Sequence, residues 1–242
     1  MLLAPACACC RRPLDRPSDG PVCEACWQTI RPITPPVCDA CGDPLPSWRT
    51  ISLAAAFCPR CRRRPRHVDR GRAVGEYAGA LRDIIHAFKY DGRRSIGRRL
   101  SALMRDRGAD VLAGADCVVP VPLHRRRRRQ RGFNQAADLA AGLGLPVRTV
   151  LRRVRATPSQ VALPAARRHQ NVRGAFAVVW QPPWRIGPWA GRPAPLAGAC
   201  VVLIDDVSTT GATLDACARA LKEAGVREVR ALTAARVVGR RP

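Results

Sequence analysis

Apolar residues in this chain fall into short buried runs that alternate with helical stripes, and the alternation begins near residue 72. "RAVGEY" (72–77) reads as a short strand. In "GALRDIIHAFKY" (79–90), Leu81, Ile84, Ile85 and Phe88 recur at the spacing of an amphipathic helix. A second helix is predicted from Ser95 to Arg107. "DCVVPVP" (116–122) is a buried strand ended by prolines, and "NQAADLAAGLGL" (134–145) is a helix stopped by glycines. "PVRTVL" (146–151) and "VVLI" (201–204) return as strands, followed by a helix over 213–225 and a last strand over 226–238. Strands alternating with helices predict an α/β domain built on a mostly parallel sheet, covered on both faces. Two segments break the rhythm. Residues 152–173 read as a mobile loop. Residues 178–198 read as an irregular insertion whose Trp180, Trp184 and Trp189 pin it to the surface or offer stacking faces for bases.

The first sixty-one residues lack this rhythm and carry four C-x-x-C pairs: Cys7 and Cys10, Cys23 and Cys26, Cys38 and Cys41, Cys58 and Cys61. Each pair makes a tight knuckle that points two thiolates the same way, and two knuckles complete a tetrahedral structural zinc site. Eight ligands predict two zinc ions. Sequential pairing is the simplest, and spacing leaves interleaved pairing open. A four-thiolate centre carries a charge of about −2, and Arg11, Arg12, Arg60, Arg62 and Arg63 stand beside the knuckles to offset it. So few large apolar residues cannot hold such a segment together, and metal binding of order ~10 kcal/mol per site supplies the missing stability. A redox role needs a βαβ context that this segment lacks. Cys9 is left over, and Cys117, Cys200 and Cys217 read as small buried residues. The expected organisation is a small Cys-rich zinc-binding domain over 1–70 and the α/β domain over 71–242.

Where "VVLI" leaves the sheet, the chain continues "DDVSTTGATL". Ligands bind beyond the carboxyl ends of parallel strands, so Asp205 and Asp206 fall in the expected crevice. The turn that follows runs into a helix whose first N–H groups favour an anion, and Thr209, Thr210 and Thr213 add hydroxyls. Two acceptors suited to vicinal hydroxyls therefore sit beside a phosphate cradle, which is the shape of a phosphorylated ribose. The G-x-x-x-x-G-K-[ST] pattern of nucleotide-binding P-loops is missing. Receiver domains place such an acidic pair near the chain start, and simple helix capping accounts for only one of the acids.

Charge sharpens this picture. Lys plus Arg number 42 against 18 Asp plus Glu, a net +24, which favours anionic partners such as phosphates or nucleic acid. Lys89 and Lys222 are the only lysines. A compact ammonium at 89, where arginine is otherwise the default, marks a usable point charge. No stretch approaches the ~18 apolar residues of a membrane span, and no secretory leader is evident, so the expected location is cytoplasmic, without membrane insertion.

The acidic stretch resembles the phosphoribosyl-pyrophosphate signature of type I phosphoribosyltransferases. The cysteine pairs, "IIHAFKYDGR", "VPVPLHRRRRRQRGFNQA", "TPSQVALPAARRHQNVRGAF" and "DDVSTTGATL" together resemble the ComF (ComFC, GntX-like) family of competence-associated proteins. The resemblance implies a type I phosphoribosyltransferase-like architecture with phosphoribosyl pyrophosphate and Mg2+ as ligands. Asp205 and Asp206 would bind the ribose 2′ and 3′ hydroxyls, and Ser208, Thr209, Thr210, Gly211, Ala212 and Thr213 the 5′-phosphate. Pro120, Val121, Pro122, Leu123, His124 and Arg125 match the pyrophosphate loop. Asp205, Asp206, Arg125 and Thr209 stand at the catalytic positions, although many relatives have an acid where Thr209 stands. Thr157, Gln160, Arg167, Arg168 and Asn171 lie where related enzymes carry a flexible catalytic loop. The implied chemistry is displacement of pyrophosphate from the anomeric carbon by an acceptor nucleophile, with the arginines of 125–131 meeting the departing charge. The family also implies natural transformation as the setting and a DNA-uptake helicase as a partner. The alternative is a non-catalytic protein that handles single-stranded DNA, with Arg126 to Arg129 as phosphate contacts and Phe133 and the tryptophans as stacking faces.

Overall fold

The computed structural model describes residues 5–46, 57–155, 174–179 and 196–238. Among them are six strands: β1 (Arg70–Glu76), β2 (Cys117–Pro120), β3 (Leu151–Arg153), β4 (Phe176–Val178), β5 (Cys200–Ser208) and β6 (Glu228–Arg236). The helices are α1 (Glu24–Gln28), α2 (Pro59–Arg63), α3 (Gly79–Tyr90), α4 (Ile96–Arg107), α5 (Ala109–Leu112), α6 (Arg125–Arg131), α7 (Gln135–Ala141) and α8 (Ala212–Glu223). Four strands form a sheet in the order β1–β6–β5–β2, and every pairing in it is parallel. No helix of the described residues is long and apolar enough to cross a membrane.

Side chains alternate across this sheet. Val118, Val202, Ile204, Leu232 and Ala234 face α3, α4 and α7, while Val119, Val201, Leu203, Val229 and Ala231 face α8. The stripe read from α3 is the buried one: Leu81, Ile84, Ile85 and Phe88 are fully enclosed. At roughly 1.5–3 kcal/mol for each large side chain buried, this face is what fixes the helix to the sheet. Asn134 caps α7 by accepting from the Ala136 amide (3.3 Å). Gly211, at φ 75°, turns the chain into α8.

Two expectations are revised. "PVRTVL" is not a strand: Val147 makes one parallel bridge to Val118, and Pro146 contributes a carbonyl but has no N–H to extend a ladder. Instead β3 and β4, from the edges of the two irregular segments, pair antiparallel and pack Leu151 and Phe176 against the α8 side. The arginine run, for which the apolar pattern predicts no element, is a helix, α6. The "VVLI" strand also continues past Ile204 to Ser208, because β6 accompanies it as far as the Ser208–Arg236 pair. The three insertion tryptophans lie outside the described residues, as does the segment holding Thr157, Gln160, Arg167, Arg168 and Asn171.

The cysteine pairs assemble sequentially. Cys7, Cys10, Cys23 and Cys26 form one cluster and Cys38, Cys41, Cys58 and Cys61 the other, with all four sulfurs of each within 4.8 Å of one another. Sulfur pairs stand 3.8 Å apart for Cys7–Cys26, 3.7 Å for Cys10–Cys23 and 3.8 Å for Cys41–Cys58. A tetrahedron with Zn–S bonds of about 2.3 Å has edges of about 3.8 Å, so the donor sets fit zinc and are far too open for disulfides. The first cluster merges with the main core, where Cys7, Cys26, Trp27 and Ile30 join Leu81, Ile84 and Ile85. The chain between the clusters then runs along the free edge of β1. Ile33 N donates to Val74 O (3.2 Å) and Glu76 N to Arg31 O (2.9 Å). Gly75 permits this approach, since a Cβ there would lie 2.7 Å from the Arg31 oxygen. An edge that would otherwise invite foreign strands is thereby closed.

Because the first cluster shares its core with α3, metal removal should weaken the whole chain. We expect a zinc chelator to lower the Tm of one cooperative calorimetric transition. Two separate transitions, with only the smaller one moving, would mean that the knuckles fold independently.

Candidate functional site

Parallel sheets open a crevice where adjacent strands send their following helices to opposite faces. Here those strands are β2 and β5. The chain leaving β2 passes through α6 to α7, against the face that carries Val202 and Ile204, whereas the chain leaving β5 enters α8 on the other face. Pro120 is paired with Ile204 in the ladder, and Val121 N donates to Ile204 O (2.9 Å). The Pro120–Arg125 turn therefore starts beside the residue that precedes Asp205. Asn134 Nδ2 donates to Val121 O (3.2 Å) and holds this turn from below.

The acidic pair is not equally open. Asp206 is buried, and its Oδ1 lies 2.8 Å from Lys89 Nζ on α3. Asp205 is half-buried, and its Oδ1 accepts from the Asp206 amide (2.9 Å). Burial, reinforced by repulsion from Asp206, pushes the Asp205 carboxyl up to about 7, while Lys89 and Arg131 pull the other way. Arg153 on β3 is attracted to the same carboxylate, although burial and repulsion from Arg127 hold its guanidinium below its ordinary value. The expectation of two open acceptors thus becomes one half-open carboxyl and one held by an ammonium. A carboxylate has acceptor capacity beyond a single ion pair, and the Lys89 contact engages Asp206 through Oδ1.

Beyond the pair, the turn divides. Ser208 is buried, its hydroxyl accepting from Arg236 Nη1 (3.2 Å). Thr210 is also buried; its hydroxyl accepts from the Ala212 amide (3.4 Å), and its carbonyl accepts from Arg66 Nη2 (3.1 Å). Thr209 and Thr213 are half-buried and lie nearer the surface. Ala212 is enclosed at the first position of α8. The early amides of α8 face away from the helix body, as helix N-termini require. His124 and Leu123 are half-buried between β2 and α6, and the backbone of Arg125 opens α6.

Tyr90, at the end of α3, escaped sequence reasoning. It is 59% exposed, yet Arg131 stacks over it at 4.7 Å and donates to its hydroxyl (2.8 Å). A lone Tyr at the end of a helical stripe gives no signal of this. Phe133, expected as a stacking face, is instead buried and meets Phe88 edge-on at 5.7 Å. Arg94 covers it at 5.0 Å.

Comparison with known proteins follows these lines. Residues 1–62 match a double zinc ribbon domain, and residues 129–241 match a phosphoribosyl transferase domain. A protein of Salmonella typhi named DNA utilization protein YhgH is 31% identical over 95% of this chain and 96% of its own length. Competence protein F of Haemophilus influenzae is 29% identical over 74% of this chain and 78% of its own. Competence protein ComFC of Bacillus subtilis is 27% identical over 86% and 80%. Similarity at this level along nearly the whole of both chains, knuckles included, makes this chain a member of the ComF family, an α/β protein of type I phosphoribosyltransferase-like architecture with an N-terminal double zinc ribbon.

Proposed function

We propose that this protein binds phosphoribosyl pyrophosphate with Mg2+ between β2 and β5 and transfers the phosphoribosyl group to an acceptor nucleophile. One observation carries the reading: the acid pair with the Gly211 turn into α8, and the Pro120–Arg125 turn, lie at the carboxyl ends of two neighbouring parallel strands, β5 and β2. The names of the relatives support a setting in competence and DNA utilization, and the cytoplasm is the proposed location. A DNA-uptake helicase is the proposed partner there.

In this reading Asp205 and the second oxygen of Asp206 accept the ribose hydroxyls. The turn from Thr209 to Thr213 receives the 5′-phosphate on amides and hydroxyls. The Pro120–Arg125 turn receives pyrophosphate. The bond from the anomeric carbon to pyrophosphate breaks with its electron pair leaving on oxygen, and the nucleophile's lone pair forms the new bond as its proton departs. Mg2+ bound with the substrate would supply further positive charge to the departing pyrophosphate. Lys89, Arg131 and Arg153 place positive charge about the carboxylates and so reduce, without cancelling, their repulsion of a polyanion. Their fixed positions supply stabilisation without reorganisation as charge develops on the leaving group.

Isothermal titration with Mg2+ and phosphoribosyl pyrophosphate tests the site. Asp205→Asn should weaken binding by about 10- to 100-fold at pH 8, the loss expected for hydrogen bonds to a charged group. Equal affinity in wild type and variant, or no binding by either, removes the assignment. The pH dependence has a definite sign. Asp205 keeps its proton below about 7 and accepts best once it has lost it, so wild-type affinity should rise between pH 6 and pH 8. The Asp205→Asn profile supplies the ligand's own titration, and the rise in excess of it should vanish in the variant.

A second reading has its own support: α6 exposes Arg128 and Arg129 at the rim of the crevice, on a chain of net +24. Single-stranded DNA would track this rim. Its affinity should then fall steeply with salt, and neutralising Arg126 to Arg129 should flatten the logarithmic slope by roughly 0.7 for each phosphate that is no longer neutralised. An unchanged slope takes α6 out of the DNA surface.

A further inference from the structure

Arg236, the last residue of β6, is 1% exposed. Its Nε donates to Asp43 Oδ1 (2.8 Å) and its Nη1 to Ser208 Oγ (3.2 Å), while Nη2 has no hydrogen-bond partner among the described residues. Asp43 follows the Cys38–Cys41 knuckle of the second cluster: Cys38 N donates to Asp43 O (2.8 Å) and Gly42 N to Cys38 O (2.7 Å). Ser208 is the last residue of β5, directly before the turn into α8. One buried guanidinium thus reaches from a cysteine-knuckle loop to the residue directly before the proposed phosphate cradle. Enclosing such a charge is costly without compensation. The Asp43 carboxylate, bonded to its Nε, supplies the nearest opposite charge.

Other contacts follow the same route. Beyond Cys61, the chain delivers Arg66 Nη2 to Thr210 O (3.1 Å) and His67 N to Asp215 Oδ1 (2.7 Å) in the first turn of α8. The knuckle also sits flush on β1. Gly71 N donates to Asp39 O (2.7 Å), and a Cβ on either Gly42 or Gly71 would come within 2.9 Å of the opposing backbone. The first cluster packs elsewhere, against α3.

We propose that Arg236 is a positioning residue tying the second thiolate centre to the β5–α8 turn, so that metal in this centre, and not in the first, sets the order of the turn. The coupling stands on the contacts alone. Its consequence for ligand affinity rests on the phosphoribosyl reading of the turn.

The test is metal release to a colorimetric chelator from the zinc-loaded full chain, read beside amide hydrogen exchange. Arg236→Met should release one zinc equivalent about 10- to 100-fold faster, the range seen when a partner of a metal ligand is removed, and the other at the wild-type rate. Exchange over residues 208–214 should quicken while α3 stays protected, and Arg236→Lys, which keeps the charge but not the fork, should restore part of both. Two equivalents leaving at wild-type rates, or both accelerating together, overturns the proposal. A variant pair guards against a misfolded Arg236→Met: Cys38→Ser should quicken exchange over residues 208–214 more than over α3, whereas Cys10→Ser, which strikes the core shared with α3, should quicken α3 at least as much as residues 208–214. The same pattern in both, or no quickening in either, is the contrary result. Affinity for Mg2+ and phosphoribosyl pyrophosphate measured on Cys38→Ser separates the two ideas, since a loosened turn with unchanged affinity overturns the phosphoribosyl reading and leaves the tie standing.

Discussion

Two carboxylates on consecutive residues of a sheltered strand repel each other, and each resists losing its water. Burial is the larger burden on Asp205 and the charge of Asp206 adds to it, so cations beside the pair offset part of the cost. The cations that do so come from separate elements: Lys89 from α3, Arg131 from α6 and Arg153 from β3. Each element is thereby drawn to the carboxyl edge of the sheet. The compensation is incomplete, since Asp205 still holds its proton to near neutrality. A ligand that offers hydroxyls to Asp205 and carries its own metal would complete it. In the proposed reading, the repulsion within the pair and an affinity for such a ligand would be two sides of the same electrostatics.

A second constraint is the shortage of apolar material in the N-terminal region. Around the second cluster the buried group is Cys38, Ala40, Leu45, Cys58 and Cys61, which is mostly the ligands themselves. Such a group has no hydrophobic core to speak of, and its fold must come from metal. The first cluster adds Val22, Trp27 and Ile30, and these reach the stripe of α3. One ribbon therefore leans on the main core, and the other leans on a buried arginine and two glycines. The two centres differ in what they support because the residues beside them differ.

Local pattern carried the sequence reading wherever structure is local. The α3 stripe, the knuckle pairs and the strand–acid–turn–helix order around Asp205 all depend on residues within a dozen positions of one another, and all are found where expected. What escaped was set by distance or by uniform composition. α6 contains good helix formers but no apolar period, so a run of arginines gave no reason to expect a helix. The β3–β4 ribbon has three residues on each side, too few to register as alternation. Arg236 is one arginine in an arginine-rich chain, and only the fold, which brings Asp43 and Ser208 to it, distinguishes it from the rest. The Lys89 pairing was legible as an oddity of residue type, but its partner Asp206, far along the chain on β5, was not.

The same charges bear on how a sugar phosphate and a nucleic acid would share this surface. In the proposed readings a DNA backbone would gain from the arginines of α6 but would find two acids at the ends of the strands, so it would follow the rim without entering. A sugar bearing vicinal hydroxyls would gain from the acids, and its phosphates from the turns on either side. The acid pair would then act as a boundary, admitting a polyanion only where that polyanion brings hydroxyls or metal to meet it. The Lys89 contact engages Asp206, so Asp205 would be the group that discriminates between them.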